Sequence, residues 1–431
     1  MQAHIIHGTY KIHAGNYDWG CSIDKAIVSL EEAVGEIHEE NLTVTERKLA
    51  ADENTPNYDT YKKDYDRKVT AAYLCDEEGK KIEGPSRHFA LEMYVSPEVG
   101  SPFVCTYRTQ IFIWSDPYEL HIKYRSSDMN LDIDPVFTER LTAADMFAKE
   151  SYIAKNGTCY QYASYTPEKE TDTLFVWLHG LGEGQKKGSD AYLPLLGRKG
   201  TTMAGQEFQD TIGGAYVLVP QCPTYWMDAD GKESNFFDGK VWVDQKESEA
   251  SQKETDADKG GIRADGTSYY TESLYELIDW YAREKNCTKI ALAGCSNGGY
   301  MSLIMASAYP DLFSAVVPIC ESMPDDKLSD EAVARLAGVP LYFVYSKDDP
   351  IVIPETHEIP TIERLKKAGA KDLHVSTSDH VIDTSGTYRN EDGSPYTYMG
   401  HLSWIYYDNN ETDDGTGLST WEWMDAKLRD S

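Results

Sequence analysis

One pentapeptide limits what this chain can become more than any other stretch: Gly294-Cys295-Ser296-Asn297-Gly298. The apolar run Lys289-Ile290-Ala291-Leu292-Ala293 enters it, and a helical pattern beginning Gly299-Tyr300-Met301 leaves it. Buried strand, sharp turn and helix together lift a serine hydroxyl above a sheet edge as a nucleophile. Such a turn strains the backbone at the serine, so the residues two before and two after must be small. Gly294 and Gly298 meet that need. The helix starts at the serine, with its positive end facing the charge that develops on an attacked oxygen. The pentapeptide alone says little, since a chain this long shows one by chance roughly one time in seven at average Gly and Ser usage. The flanking strand and helix make it informative.

From about residue 151, strands alternate with helices. Near-continuous apolar runs at Thr173–Leu178, Ala215–Pro220, Ser314–Ile319 and Pro340–Tyr345 read as strands buried on both faces. Tyr160–Tyr165 reads as an opening strand and Asp372–Ser376 as a closing one. Helical patterns fall at about 269–285, after the serine to about 309, near 356–368, and at 417–429. This order predicts an α/β fold with a doubly wound, mostly parallel sheet covered by helices on both faces.

Residues 1–145 read differently. Tyr118, Leu120, Ile122 and Tyr124 alternate onto one face; Phe89, Leu91, Met93 and Val95, and Val69, Ala71 and Tyr73, do the same. Turn signals such as Asp76-Glu77-Glu78-Gly79 and Ser115-Asp116-Pro117 separate the runs. Short alternating strands at this spacing predict a β-sandwich, with Lys25–Val34 either strand or short helix. No catalytic set assembles here, so an accessory domain is expected. Residues 130–150 read as the linker to a catalytic domain at 151–431.

A serine hydroxyl needs a base, and the base needs an orienting acid. In folds of this type they follow the serine in the order acid, then histidine. Asp349 follows the strand Tyr342–Tyr345 and precedes Pro350, which pins the turn; Asp348 is its neighbour and runner-up. Of the downstream histidines, His374 lies in a strand pattern and His380 in a polar loop. His401 lies in Met399-Gly400-His401-Leu402-Ser403-Trp404, shortly before the last helix, where the base belongs. Ser296 to Asp349 and Asp349 to His401 are 53 and 52 residues, room for about one strand-helix-strand step each. Two backbone N–H groups must then face the oxyanion. Asn297 follows the nucleophile, and Leu181, with Gly182 as the alternative, lies in the glycine-rich loop Leu178-His179-Gly180-Leu181-Gly182-Glu183-Gly184. His179 is expected to be a structural hydrogen-bonder.

The polar run Asp244–Lys259 interrupts the α/β order inside residues 225–268, flanked by Trp226, Phe236, Phe237 and Trp242. These aromatics read equally as a lid or acyl-pocket wall and as anchors of the loop. Glu321, after the strand 314–319, is expected near the cleft, where an acid would alter substrate choice. Trp242, Glu321 and Trp404 are the expected pocket residues.

With 41 basic and 72 acidic residues, the chain has a net charge of -31, which repels nucleic acid and anionic lipid. Eight cysteines without a C-x-x-C pair give no zinc spacing. No run approaches the roughly 20 apolar residues of a membrane span, and no signal peptide is evident at the N-terminus. The expectation is a cytoplasmic protein, or a secreted one if a signal was removed. It needs no cofactor or metal and takes a small molecule as its partner, and a homo-oligomer stays open.

Residues 151–431 resemble the α/β-hydrolase superfamily, and closely resemble its predicted-peptidase or polyhydroxybutyrate-depolymerase-like esterase branch. The resemblance is carried by Leu178–Glu183, Val219-Pro220-Gln221-Cys222-Pro223, Gly294–Tyr300, Ser346–Val352 and His401–Trp404. The N-terminal part resembles the immunoglobulin-like domain that precedes such esterases, through Asp18-Trp19-Gly20 and Arg67–Tyr73. The resemblance implies ester hydrolysis by a Ser296, His401 and Asp349 triad, on short acyl or aryl esters, feruloyl or acetyl sugar esters among them. A serine peptidase of the prolyl-oligopeptidase-like type would use the same three residues.

Overall fold

The computed structural model describes residues 4–52, 60–106, 111–185, 188–231, 263 and 266–431. They cluster into two compact units, one of Met1–Thr106, Phe112–Asp145 and Leu196–Lys199, the other chiefly Met146–Leu195 and Gly200–Ser431.

The first unit is all β. Its strands are β1 (His4–Tyr17), β2 (Gly20–Val34), β3 (Leu42–Ala51), β4 (Thr60–Arg67), β5 (Val69–Cys75), β6 (Ser86–Met93), β7 (Phe103–Thr106), β8 (Ile111–Trp114), β9 (Tyr118–Arg125), β10 (Met129–Ile133) and β11 (Glu139–Thr142). All but β7 and β8 belong to one sheet in the order β4-β3-β9-β10-β1-β2-β6-β5, with β11 also on β1. Its outermost strands, β4 and β5, are separated in sequence by Lys68 alone. The sheet must therefore curl until its two edges approach each other. Period-2 alternation gives the curl its inside: Phe89, Leu91, Leu120 and Ile122 are buried. Lys25–Val34 is strand throughout, paired with β1 and β6.

The stretch expected to be a linker is structured. Leu131 and Ile133 are buried in β10, and β11 pairs with β1. A further strand, β12 (Ala148–Ile153), precedes the expected opening strand β13 (Cys159–Tyr165) and pairs with it antiparallel. Almost every residue of β12 is exposed, so no hydrophobic alternation marked it.

The second unit's sheet continues with β14 (Thr173–Leu178), β15 (Tyr216–Gln221), β16 (Lys289–Cys295), β17 (Ala315–Ile319), β18 (Leu341–Ser346) and β19 (Leu373–Ser378), in the order β12-β13-β15-β14-β16-β17-β18-β19. From β15 to β19 every pairing is parallel. A short hairpin, β20 (Val381–Ile382) with β21 (Thr397–Tyr398), follows. Among the described residues the helices are α1 (Leu193–Leu196), α2 (Gln206–Thr211), α3 (Thr271–Glu284), α4 (Asn297–Ala308), α5 (Asp330–Leu336), α6 (Glu358–Lys367), α7 (Trp404–Asp408) and α8 (Thr420–Asp430).

Burial on both faces explains the unbroken apolar strands. In β14, Leu174, Val176 and Leu178 pack in one cluster with Leu274 and Ile278 of α3 and Leu303 of α4. The alternate residues serve the opposite face: Phe175 meets Phe208 of α2, which meets Trp421 of α8, and Trp177 stacks on Tyr407 of α7. α8 begins with a capping box in which Ser419 and Glu422 satisfy each other's backbone amides. Chain order reverses at β14, whose neighbours are β15 and β16, so a crevice opens at the carboxyl ends of these strands. Among the described residues no helix is long and apolar enough to cross a membrane.

Candidate active site

Ser296 sits between β16 and α4 at φ 53 and ψ -116, a conformation that non-glycine residues avoid. Both flanking glycines are sterically required. A Cβ on Gly294 would lie 2.5 Å from the Gly298 carbonyl oxygen, and one on Gly298 would lie 2.0 Å from that of Leu178. The second contact brings the start of α4 against the end of β14. The Ser296 amide donates to the Ile319 carbonyl at 2.8 Å, and the Ser322 amide donates back to the Ser296 carbonyl at 3.3 Å. The strained turn is thus clamped to the end of β17.

The structure brings His401 and Asp349 to this serine. Ser296 Oγ lies 3.0 Å from His401 Nε2, and His401 Nδ1 lies 2.7 Å from Asp349 Oδ2. With Nδ1–H donating to the carboxylate, Nε2 is left to accept the serine proton. The other carboxylate oxygen, Asp349 Oδ1, accepts the amides of Ile351 and Val352 at 2.8 and 3.0 Å. All three side chains are buried, Ser296 retaining 9% exposure. Trp404 stands edge-on to the His401 ring, centroids 5.5 Å apart, and is half-buried.

The remaining candidates separate cleanly. Asp348 turns away from His401 and pairs with His380 Nδ1 at 2.7 Å while accepting from Ser346 Oγ at 2.6 Å. Its backbone packs against Gly400, where a Cβ would come within 2.7 Å of the Asp348 carbonyl. His374 lies in β19 between Asp372 and Asp414.

The loop after β14 is pinned from several sides. Leu181–Glu183 forms a single 3-10 turn. Glu183 Oε2 accepts the Gly180 amide at 2.8 Å, and Gln221 Nε2 donates to the Glu183 carbonyl at 2.9 Å. His179 Nε2 accepts the Cys222 amide at 2.9 Å, and its carbonyl accepts Trp226 Nε1 at 3.1 Å. The Trp226 amide in turn donates to Asn297 Oδ1 at 2.6 Å. Trp226 is fully buried and stacked near Tyr160, an anchor of the body. Sequence reasoning gave Glu183 and Gln221 no role. The spacing of Gly180 and Glu183, that of a capping box, is the signal that could have found the first. Trp242, Phe236 and Phe237 lie outside the described residues, as does most of the expected lid.

Glu321 corrects an expectation. It does not face a cleft: its side chain is fully buried, with Oε2 accepting the Met323 amide at 2.6 Å. Gly299 makes room for it, since a Cβ there would lie 2.8 Å from both Cα and Cβ of Glu321. Burial, and then the nearby Glu358, pushes its carboxyl well above the usual glutamate range. Glu358, also buried, is pushed up by burial and by the charge of Asp349. Among the described residues, Oε1 of Glu321 and both carboxyl oxygens of Glu358 have no hydrogen-bond partner.

The second unit has the α/β-hydrolase fold. Residues 244–380 match the family model described as the alpha/beta hydrolase fold. A thermostable esterase of known structure is similar over nearly the whole chain, at 18% identity, covering 93% of this chain and 96% of that one with a TM-score of 0.64. A ferulic acid esterase aligns over 66% of this chain and 97% of its own at 12% identity and a TM-score of 0.41. No curated protein matches the sequence.

Proposed function

We propose that the chain is a serine carboxylesterase acting on short acyl or aryl esters. The observation that carries this is the unbroken relay from Ser296 Oγ through His401 to Asp349, 3.0 and 2.7 Å at its two links. Ser296 attacks the ester carbonyl as His401 Nε2 takes its proton. Asp349 holds the ring tautomer and stabilises the imidazolium. The oxyanion is met by the amides of Asn297 and Leu181. Asn297 is the first residue of α4, so its amide has no helical carbonyl to bind. The Gly180 amide is already engaged by Glu183, and Leu181 is the next donor along the loop. His401 then protonates the departing alcohol, and a water activated by the same base releases the acyl-enzyme.

The test is turnover of p-nitrophenyl esters of graded chain length and of hydroxycinnamate esters, beside matched amides, by wild type and Ser296→Ala. A fluorophosphonate should label Ser296 in the wild type. Full turnover by Ser296→Ala, or faster cleavage of the amides than of the esters, would overturn the reading.

A further inference from the structure

Cys320 has no role in the mechanism above, yet it lies beside it. It directly follows β17, at φ 36, and its amide donates to the Val344 carbonyl at 2.8 Å. That hydrogen bond fixes it between the serine turn and the strand that carries Asp349. Ligand atoms of Cys320, Asp349 and His401 all lie within 4.8 Å of one another, and all three residues are buried. A thiol, an imidazole and a carboxylate are the donor types that zinc and its softer relatives take in a four-coordinate site. Bonds of about 2.3 Å to sulfur and about 2.0 Å to nitrogen bring such donors closer together than that limit. Shifts on the scale of side-chain rotations would close them on one ion.

We propose that Cys320, His401 and Asp349 form an inhibitory site for a thiophilic divalent cation, Zn²⁺ or Cd²⁺. The ion forms one bond each to Cys320 Sγ, His401 Nδ1 and an Asp349 oxygen, replacing the Nδ1–H···Oδ2 hydrogen bond. The thiol proton leaves to solvent, and the imidazole proton moves from Nδ1 to Nε2. Two positive charges then meet one thiolate and one carboxylate, so the buried site is electrically neutral. A coordinated metal removes the thiol proton outright. With Nε2 protonated, His401 cannot accept the Ser296 proton, and turnover stops. The loss of turnover rests on the esterase reading; binding of the ion does not.

The experiment titrates the full-length protein with Cd²⁺ at buffered free concentration. It follows thiolate-to-cadmium absorption in the ultraviolet and ester turnover together, then adds EDTA. Wild type should bind one equivalent with a thiolate band, lose at least tenfold in turnover over the same range, and recover with EDTA. Cys320→Ala and Cys320→Ser, each compared with its own metal-free rate, should lack the band and need at least tenfold more cadmium for half-inhibition. Cys159→Ser removes the cysteine that is exposed among the described residues and should behave as wild type. Circular dichroism selects whichever Cys320 variant folds. A Ser296→Ala protein that keeps the Cys320-dependent band supports the site even if esterase activity is never found. An unchanged band or unchanged inhibition in the Cys320 variants overturns the proposal.

Discussion

Two neighbouring turns at the carboxyl edge of one sheet treat buried acids in opposite ways. After β18, Asp349 is buried but fully partnered, by two amides on one oxygen and an imidazole on the other. Glu321, after β17, and its neighbour Glu358, at the start of α6, are equally buried, and among the described residues three of their four carboxyl oxygens have no hydrogen-bond partner. Burying a charge is tolerable only when it is paired and hydrogen-bonded. The first turn therefore surrounds its carboxylate with donors, whereas burial raises Glu321 and Glu358 and favours their protonated forms.

The largest expected effects break the first turn. His401→Ala should lower ester turnover by about 10⁵ or more and Asp349→Ala by about 10⁴, with folding intact by circular dichroism. The double variant should be no worse than His401→Ala, because the two act as one unit. Additive losses would mean that Asp349 works by some route other than His401.

The serine turn is tested by volume. Gly298→Ala drives a methyl group into the Leu178 carbonyl, which is backbone and cannot swing aside. Destabilisation of about 3 kcal/mol or more in urea unfolding is expected, at the upper end of overpacking costs. A loss under about 1 kcal/mol would show that α4 can shift away from β14.

The second turn is tested by pH. Raised carboxyl values in the folded state mean that Glu321 and Glu358 stay protonated where the unfolded chain has already released those protons. The unfolded state then binds fewer protons, so stability falls as pH rises above the ordinary glutamate value of 4.5 and continues to fall up to the raised one. Glu358→Gln removes one titrating group and keeps its shape. Its melting temperature should fall less than that of the wild type as pH rises above 4.5, and Asp349→Asn, which removes a charge that raises Glu358, should flatten the profile to a smaller degree. Parallel profiles for wild type and Glu358→Gln would mean that the pair finds a partner in solution.

The contrast also marks how far the sequence could be read. Ser296 and Asp349 were legible because each follows a strand whose apolar run is unmistakable, whereas His401 was placed by chain order, in a loop shortly before the last helix. Asp349 was separable from Asp348 through Pro350, which turns the chain so that the amides of Ile351 and Val352 reach back to the carboxylate. Glu321 was misread because a lone acid after a strand looks solvated. Its burial depends on Gly299, one turn into a helix, leaving space for its Cα and Cβ. β12 was missed for the converse reason: an exposed edge strand has no hydrophobic face to show. β10 and β11 were taken for linker because their apolar residues are few and their strands short.

The smallest expected effect comes from Asp348, the acid that chain order could not dismiss. Its pair with His380 is solvent-exposed, with 37% and 65% of the two side chains accessible, and such pairs contribute about 0–1 kcal/mol. His380 holds the Asp348 carboxyl somewhat below the usual range, so the stability the pair contributes is present above the ordinary aspartate value of 3.8 and is lost as pH falls through the lowered one. His380→Ala should therefore change stability at pH 7 by less than about 1 kcal/mol and turnover by less than about threefold. Asp348→Asn should do slightly more, since Ser346 Oγ and the loop bearing Gly400 also rest on it. If His380→Ala instead cost turnover on the scale of His401→Ala, the relay would run through the neighbouring acid, and the division between the two aspartates drawn from their partners would fail.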